Sequence, residues 1–202
     1  MKLDNKTNYI VSGLERSGTS LLMQIIKAGE IPIGFDKTRP ADNNNPKGYY
    51  ELEGGKIINK LAEKTFPLEN YEGQFIKITS FGLQFLPPGK YKIIYSERNI
   101  EEILDSMEKM IDKKDKNREE TRDSFTKLNR MMKHLCQDRD DIDVLFVNYN
   151  KIIKNPEKDV KRIVRFLGLP DQIIKKMINA VDTKLYRQRR PNNPVNIKKK
   201  FI

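Results

Sequence analysis

Residues 13–20 read Gly13-Leu14-Glu15-Arg16-Ser17-Gly18-Thr19-Ser20, between an apolar run at residues 9–11 and a helical pattern at residues 21–28. The order is that of a buried strand, a glycine-bounded loop and the start of a helix. Two glycines let the backbone turn tightly, and the loop amides and the positive end of the helix dipole then point at the same place. The stretch therefore predicts a cradle for a phosphate-type anion.

The spacing of the two glycines is that of a P-loop, G-x-x-x-x-G-K-[S/T], with one departure. Thr19 occupies the position at which the motif has lysine, and the basic residue of the loop is Arg16. This exchange favours a phosphate-bearing ligand and argues against ordinary nucleoside triphosphate chemistry.

Short apolar runs recur along the chain, with helical patterns between them. Strands are predicted at residues 9–11, 75–78, 91–95 and 144–147, and helices at residues 21–28, 100–111 and 160–167. The alternation is typical of an α/β domain with three layers, a mainly parallel sheet between helices on both faces. Ligands of such sheets bind at the carboxyl ends of the strands.

Length and composition limit the architecture. At 202 residues the chain is predicted to form a single domain over residues 1–202, with a basic tail at residues 191–202. No apolar run reaches the ~18 residues of a membrane span, and the first eight residues are polar. A single cysteine, Cys136, cannot form an intrachain disulfide, which favours a cytoplasmic location.

The net charge of +11 favours an anionic partner. A second anion site is predicted where the third apolar run ends in Ser96-Glu97-Arg98. Ser106 lies eight residues beyond Arg98, about two turns along the helix that follows. An arginine at a strand end and a hydroxyl on the next helix can grip one phosphate from two sides.

These motifs together resemble those of the sulfotransferases that use 3′-phosphoadenosine 5′-phosphosulfate (PAPS). The stretch from Gly13 to Leu22 resembles their 5′-phosphosulfate-binding loop, and the pair Arg98 and Ser106 resembles their 3′-phosphate-binding motif. Residues 77–87, KITSFGLQFLP, are similar to the strand-to-loop segment at their active site, and residues 149–170 to their C-terminal helix. The matches follow the family's order, and bacterial-type members with arginine in the loop are the most similar group.

The resemblance implies the P-loop nucleoside triphosphate hydrolase-like fold and a transferase that moves a sulfuryl group from PAPS to a hydroxyl or amine. It implies no metal. Arg16 would stabilise charge on the departing 5′-phosphate, which the loop residues would bind. The implied nucleotide-binding residues are Gly13, Arg16, Ser17, Gly18, Thr19, Ser20, Arg98 and Ser106, with Arg187, Arg189 and Arg190 as candidates to close over the 3′-phosphate.

The acceptor must lose a proton, so a general base is expected. Cytosolic members have a histidine two residues after the lysine that matches Lys77, where this chain has Thr79, and the only histidine, His134, lies in a helical stretch. A carboxylate is expected instead, and Glu51 is selected because it closes the long polar segment; NPKGYYE also resembles a segment of the bacterial-type enzymes. Glu53 and Glu15 are rivals, and Glu51 could instead simply start a helix. Lys77 is a candidate to touch the transferring group.

Other functions stay open at this point. A P-loop kinase or NTPase would have lysine at position 19 and an acidic strand end for magnesium. A nucleic-acid-binding module would cluster its basic residues with aromatics, whereas 28 acids disperse them here, so no nucleic-acid partner is expected. A nucleotide-binding member that has lost catalysis is the third alternative.

The acceptor pocket is predicted from the long polar segment at residues 30–48, with Tyr49, Tyr50 and Tyr71 as further candidates. A loop of that length in a compact domain is often functional. These residues fit a small molecule, a glycan, a lipid or a peptide equally.

Overall fold

A computed structural model describes residues 1–186 and 190; Arg187, Arg189 and the predicted tail at 191–202 lie outside the described residues. Its four strands are β1 (Asn8–Gly13), β2 (Phe75–Lys77), β3 (Tyr91–Glu97) and β4 (Ile142–Asn148). They form one sheet in the order β2-β1-β3-β4, and each neighbouring pair is parallel. The predicted α/β class and parallel sheet are thus confirmed.

Helices lie between the strands and after the last one. They are α1 (Thr19–Ala28), α2 (Ile57–Ala62), α3 (Ile100–Ile111), α4 (Arg118–Asp138), α5 (Tyr149–Ile152), α6 (Pro156–Leu167) and α7 (Ile174–Asn179). The predicted C-terminal ends of α1 and α6 are confirmed, at Gly29 and at a left-handed Gly168, while α6 begins at Pro156, four residues before the predicted range. Within the described part of the chain, no helix combines the length and apolar character needed to cross a bilayer.

The sheet has a hydrophobic core on each face. Successive strand residues point to opposite faces, so Val11 and Ile94 belong to the first core while Ile10 and Ile93 belong to the second. This two-sided burial explains why the strands read as continuous apolar runs. Helices α1, α6 and α7 cover the first core, and α2 and α4 contribute to the second.

Cys136 is part of the second core, on α4. Its side chain is fully buried, and this burial raises the pKa of the thiol to about 11. The residue is therefore a packing residue, as its apolar surroundings in the sequence indicated.

The parallel sheet brings the ends of all four strands to one edge. Gly13 at the end of β1 is in register with Ser96 of β3, and Val11 of β1 with Lys77 at the end of β2. Ser96 is in turn in register with Val147 of β4. The segments that follow these strands therefore start side by side, and they build the site.

We expect Ile163→Ala to destabilise the domain by about 2–5 kcal/mol. Ile163 is fully buried between α6 and the sheet, and its truncation leaves a cavity that the core can only partly fill. Arg165→Ala, an exposed neighbour on the same helix, is the control and should stay within about 0.5 kcal/mol of the parent. Urea unfolding measures both, and equal midpoints would contradict the packing described.

Candidate active site

A cavity of about 290 Å³ opens at the carboxyl edge of the sheet. Its wall contains eight of the predicted nucleotide-binding and catalytic residues, namely Arg16, Gly18, Thr19, Ser20, Glu51, Lys77, Arg98 and Ser106, and also Tyr49 from the predicted acceptor pocket. Gly13 and Ser17 are not on the wall. The predicted loop, the second anion site and the candidate base therefore share one cavity.

The loop after β1 is fixed by hydrogen bonds within itself and to β3. The Ser17 amide donates to the carbonyl of Leu14 at 3.1 Å, and the Ser96 hydroxyl donates to the carbonyl of Ser17 at 2.8 Å. A Cβ on Gly13 would lie 2.6 Å from the Ser96 carbonyl oxygen, so only glycine allows β3 this close. The Ser17 hydroxyl is buried and has no hydrogen-bond partner among the residues that the structure describes. Gly13 and Ser17 thus connect the loop to β3 and do not face the cavity.

Gly18 lies directly against an aromatic ring. Its φ is +105°, and a Cβ there would come within 2.1 Å of the Tyr149 ring, at the start of α5. Glycine is therefore required twice, by the backbone conformation and by the contact. Thr19 and Ser20 follow as the first residues of α1, whose leading amides have no partner within the helix.

Arg16 links the two predicted anion sites. Its Nε donates to the Ser106 hydroxyl at 3.0 Å, and its backbone carbonyl accepts from Arg98 Nη1 at 3.0 Å. Desolvation of the Arg16 guanidinium in the cavity wall lowers its pKa from the ordinary arginine value. An anion in the cavity would relieve that cost, since an opposite charge favours the charged form.

Arg98 is anchored on its other side. Its Nε pairs with Glu102 at 3.1 Å, one turn along α3, and its guanidinium lies 4.6 Å from the centre of the Tyr149 ring. Glu102 also accepts hydrogen bonds from the Tyr186 hydroxyl at 2.7 Å and from the Arg190 amide at 3.2 Å. A single buried carboxylate thereby ties Arg98 to the C-terminal segment.

Arg190 does not reach the cavity wall. Its guanidinium forms two bonds to Asp105 of α3, at 2.6 and 2.7 Å. Arg190 was a candidate to close over the second anion site, but its side chain is bonded to α3 instead.

Glu51 and Lys77 form an ion pair inside the cavity. Lys77 Nζ lies 2.8 Å from Glu51 Oε1, with the lysine side chain 3% and the glutamate side chain 11% exposed. Desolvation lowers the pKa of Lys77, while the Glu51 carboxylate works in the opposite direction. Lys77 also donates to the Tyr49 carbonyl at 2.5 Å and to the Ser20 hydroxyl at 3.4 Å.

The rival bases are less well placed. Glu53 pairs with Lys60 at 2.7 Å and does not line the cavity, and Glu15 is an exposed residue at its rim. His134 lies on the exposed face of α4.

Tyr71 was expected near the acceptor, and that expectation was wrong. Its ring stacks on Phe66 in the second core, with 5.4 Å between the ring centres.

Sequence reasoning missed Arg39, Asn45 and Tyr149. Arg39 pairs with Glu51 Oε2 at 3.0 Å, and the Asn45 amide donates to the Ser20 hydroxyl at 3.0 Å. Both belong to the polar segment at residues 30–48, whose length indicated function without selecting a residue. Tyr149 directly follows β4, and the rule that ligands meet strand ends could have selected it.

The family comparison agrees with this geometry. The model of the sulfotransferase domain matches residues 6–201, almost the entire chain. The chain belongs to the sulfotransferase family. It is accordingly an enzyme of the transferase class, whose reaction is sulfuryl transfer. No curated protein sequence matches the chain.

Solved sulfotransferase structures share the fold. A mouse sulfotransferase complexed with PAP matches at a TM-score of 0.55 and 16% identity, over 95% of this chain and 70% of the mouse chain. A retinol dehydratase in complex with androsterone and inactive cofactor PAP gives 0.56 and 19%, over 91% and 66%. A sulfotransferase from Mycobacterium tuberculosis H37Rv gives 0.57 and 14%, over 88% and 72%. At such identities the likeness concerns the fold.

Among residues 1–186 and 190, no group of three or more His, Cys, Asp or Glu side chains is placed to hold a metal ion.

We expect Gly18→Ala to destabilise the protein more than Gly48→Ala. Both glycines have positive φ, +105° and +88°, but only the Cβ at position 18 meets a neighbour, since nothing lies within 4 Å of one at position 48. Strain alone should cost about 1–2 kcal/mol at position 48, and the overlap with Tyr149 should add about 1–3 kcal/mol at position 18. Thermal unfolding of both variants measures the difference, and equal losses would contradict the described contact.

Proposed function

We propose that this chain transfers the sulfuryl group of PAPS to a hydroxyl or amine of an acceptor, acting as one domain over residues 1–202. One observation carries the proposal. The anion-binding loop and the Arg98–Ser106 pair line the same cavity as the Glu51–Lys77 ion pair. Two cationic subsites suit the two phosphate-bearing ends of the donor, and an adjacent carboxylate suits proton removal from an acceptor.

The loop and α1 are proposed to hold the 5′ end of the donor. The amides around Gly18 and Thr19 and the Ser20 hydroxyl border the cavity, and the helix N-terminus attracts negative charge. Arg98 and Ser106 are proposed to hold the 3′-phosphate. The presence of PAP in the mouse sulfotransferase and the retinol dehydratase supports a nucleotide of this kind.

The sequence leaves Arg187 and Arg189 as further contacts of the 3′-phosphate. Tyr186, directly before them, is bonded to Glu102, the partner of Arg98. Arg190, on their other side, is bonded to the same carboxylate through its amide. Tyr186 and Arg190, which flank them in the sequence, thus both bond to the carboxylate that pairs with Arg98, and residues 191–202 are proposed to be a basic tail.

The proposed reaction is an in-line displacement at sulfur. The acceptor oxygen forms a bond to sulfur while the bond from sulfur to the bridging oxygen of the 5′-phosphate breaks. Glu51 takes the acceptor proton, and Arg16 stabilises the charge that develops on the departing 5′-phosphate. Lys77 holds Glu51 in place and adds positive charge beside the transferring group. The products are the sulfated acceptor and 3′,5′-adenosine bisphosphate.

The proposed acceptor is a small molecule, a glycan or a lipid. Retinol dehydratase structures contain androsterone or retinol beside PAP. In this chain, Arg39, Gly54, Gly55, Ile58 and Thr79 line the cavity on the side of Glu51. Polar side chains and glycines with a single isoleucine leave room for a polar acceptor group.

A kinase or NTPase activity is not favoured. Position 19 is threonine, and Glu97, the acidic residue at the end of β3, is ion-paired with Lys133 of α4. The carboxylate that would be needed for magnesium at this strand end is thus already engaged.

Calorimetric titration without magnesium tests nucleotide recognition. We expect 3′,5′-adenosine bisphosphate to bind at least about tenfold more tightly than 5′-AMP, because charged hydrogen bonds hold the 3′-phosphate. Ser106→Ala should remove about five- to tenfold of that preference, whereas Ser124→Ala, on the exposed face of α4, should leave it unchanged. Equal affinity for the two nucleotides, or tight binding of ATP with magnesium instead, would reject the proposed subsites.

Glu51→Gln tests the base. We expect kcat/KM to fall by about 10²- to 10⁴-fold, with the dissociation constant of the bisphosphate within about twofold of the parent because Glu51 lies outside the nucleotide subsites. Formation of bisphosphate from PAPS with a panel of phenols and sugars measures the rate. Glu53→Gln is the matched control, a neighbouring carboxylate that also pairs with a lysine. A larger fall of kcat/KM in Glu53→Gln than in Glu51→Gln would show that Glu51 is not the base.

A further inference from the structure

Both oxygens of the Glu51 carboxylate are held by cations. Lys77 Nζ lies 2.8 Å from Oε1, and Arg39 Nη1 lies 3.0 Å from Oε2. A general base must be within hydrogen-bond reach of the hydroxyl that it deprotonates. An incoming acceptor or water molecule therefore has to compete with one of the two cations for a place beside the carboxylate.

The two cations are not equally fixed. Lys77 stands at the end of β2, is 3% exposed and has two further hydrogen-bond acceptors in Tyr49 and Ser20. Arg39 comes from a segment without regular secondary structure, and its side chain is 38% exposed. Arg39 is therefore the cation that can leave the carboxylate at lower cost.

The space around Oε2 is narrow. A Cβ on Gly55, whose φ is +89°, would lie 3.3 Å from Oε2, so the Gly55 backbone already borders this oxygen on one side. Arg39 borders it on another. Because the bare backbone of Gly55 cannot withdraw without a change in the chain path, access to Oε2 depends on the position of Arg39.

The aromatic ring of Tyr49 gives Arg39 a place to move. The guanidinium carbon lies 3.6 Å from the ring centre, and the Tyr49 hydroxyl is fixed by a 2.8 Å bond to Asp42. A guanidinium can slide over an aromatic face and keep its attraction to the ring. Arg39 can thus release Glu51 without losing all of its contacts.

We propose that Arg39 is a positioning residue that covers Oε2 of Glu51 while the donor alone is bound and moves aside when the acceptor enters. The inference rests on the proposed function, in which Glu51 is the base. Its consequence concerns water. In the hydrolysis of PAPS, a water oxygen bonds to sulfur, the bond from sulfur to the bridging oxygen breaks, and a water proton passes to Glu51. Arg39 in its covering position keeps water from this carboxylate oxygen and preserves the donor for the acceptor.

The test is the release of sulfate and 3′,5′-adenosine bisphosphate from PAPS without acceptor. We expect Arg39→Gln to raise this rate by about 5- to 30-fold. This factor corresponds to the combined free energy of one partly exposed ion pair and one cation–π contact, which hold Arg39 over Oε2. The double variant Arg39→Gln/Glu51→Gln should return to the parent rate or below it, because the gain passes through Glu51. A merely structural role of Arg39 would not produce a gain that depends on Glu51.

Arg162→Gln is the matched control. Arg162 is a 43% exposed arginine on a largely buried carboxylate, Asp159, and does not line the cavity. It should leave the hydrolysis rate unchanged. Should Arg39→Gln fail to fold by circular dichroism, Arg39→Lys carries the test, since the shorter fork-less side chain also uncovers Oε2 and should raise hydrolysis.

The outcomes separate the two proposals. A rate in Arg39→Gln equal to or below the parent, or a raised rate that persists in the double variant, overturns the role of Arg39. Calorimetry of the unmodified protein judges the proposed function by itself. Absence of bisphosphate binding there overturns sulfuryl transfer, whereas binding combined with unchanged hydrolysis in Arg39→Gln overturns the inference about Arg39 alone.

Discussion

A buried cation costs free energy unless an anion or a set of hydrogen bonds compensates it, and this constraint organises the cavity. Lys77 is matched by Glu51, and Arg98 is matched by Glu102. Arg16 differs from both. Its side chain bonds the neutral Ser106 hydroxyl, and within the described residues it has no carboxylate partner at ion-pair distance. The positive charge that remains unmatched lies beside the loop, where a phosphate-type ligand is proposed to bind.

The same constraint connects the site to the rest of the chain. Glu102, which neutralises Arg98, also accepts bonds from Tyr186 and from the Arg190 amide. Arg118, at the start of α4, is held by Asp105 and Glu108 of α3, and Arg190 by Asp105 as well. The carboxylates of α3 therefore hold Arg98 on one side and Arg118 on the other, and they also bind the described residues Tyr186 and Arg190.

Local patterns in the sequence predicted the parts of the site that are built locally. The loop around Gly18 and the spacing from Arg98 to Ser106 depend on one turn and one helix, so residue spacing describes them well. Glu51 was selected from its place at the end of the polar segment and from a resemblance, but its pair with Lys77 joins residues that only the completed sheet brings together. Arg39 has no periodic pattern around it and was missed, whereas Tyr71 was expected at the cavity and instead packs on Phe66. Side chains in irregular segments have positions set by tertiary packing, which the sequence pattern does not record.

The backbone of the loop holds a conflict between stability and chemistry at a single position. Arg16 has a φ of +63°, in the left-handed region where an L-residue with a side chain is strained. Glycine would adopt this conformation without that strain, yet it would remove the guanidinium that bonds Ser106 and faces the cavity. The protein thus retains an unfavourable backbone at the residue that carries its unmatched charge. In evolutionary terms, selection for a more stable fold and selection for the proposed ligand act on position 16 in opposite directions.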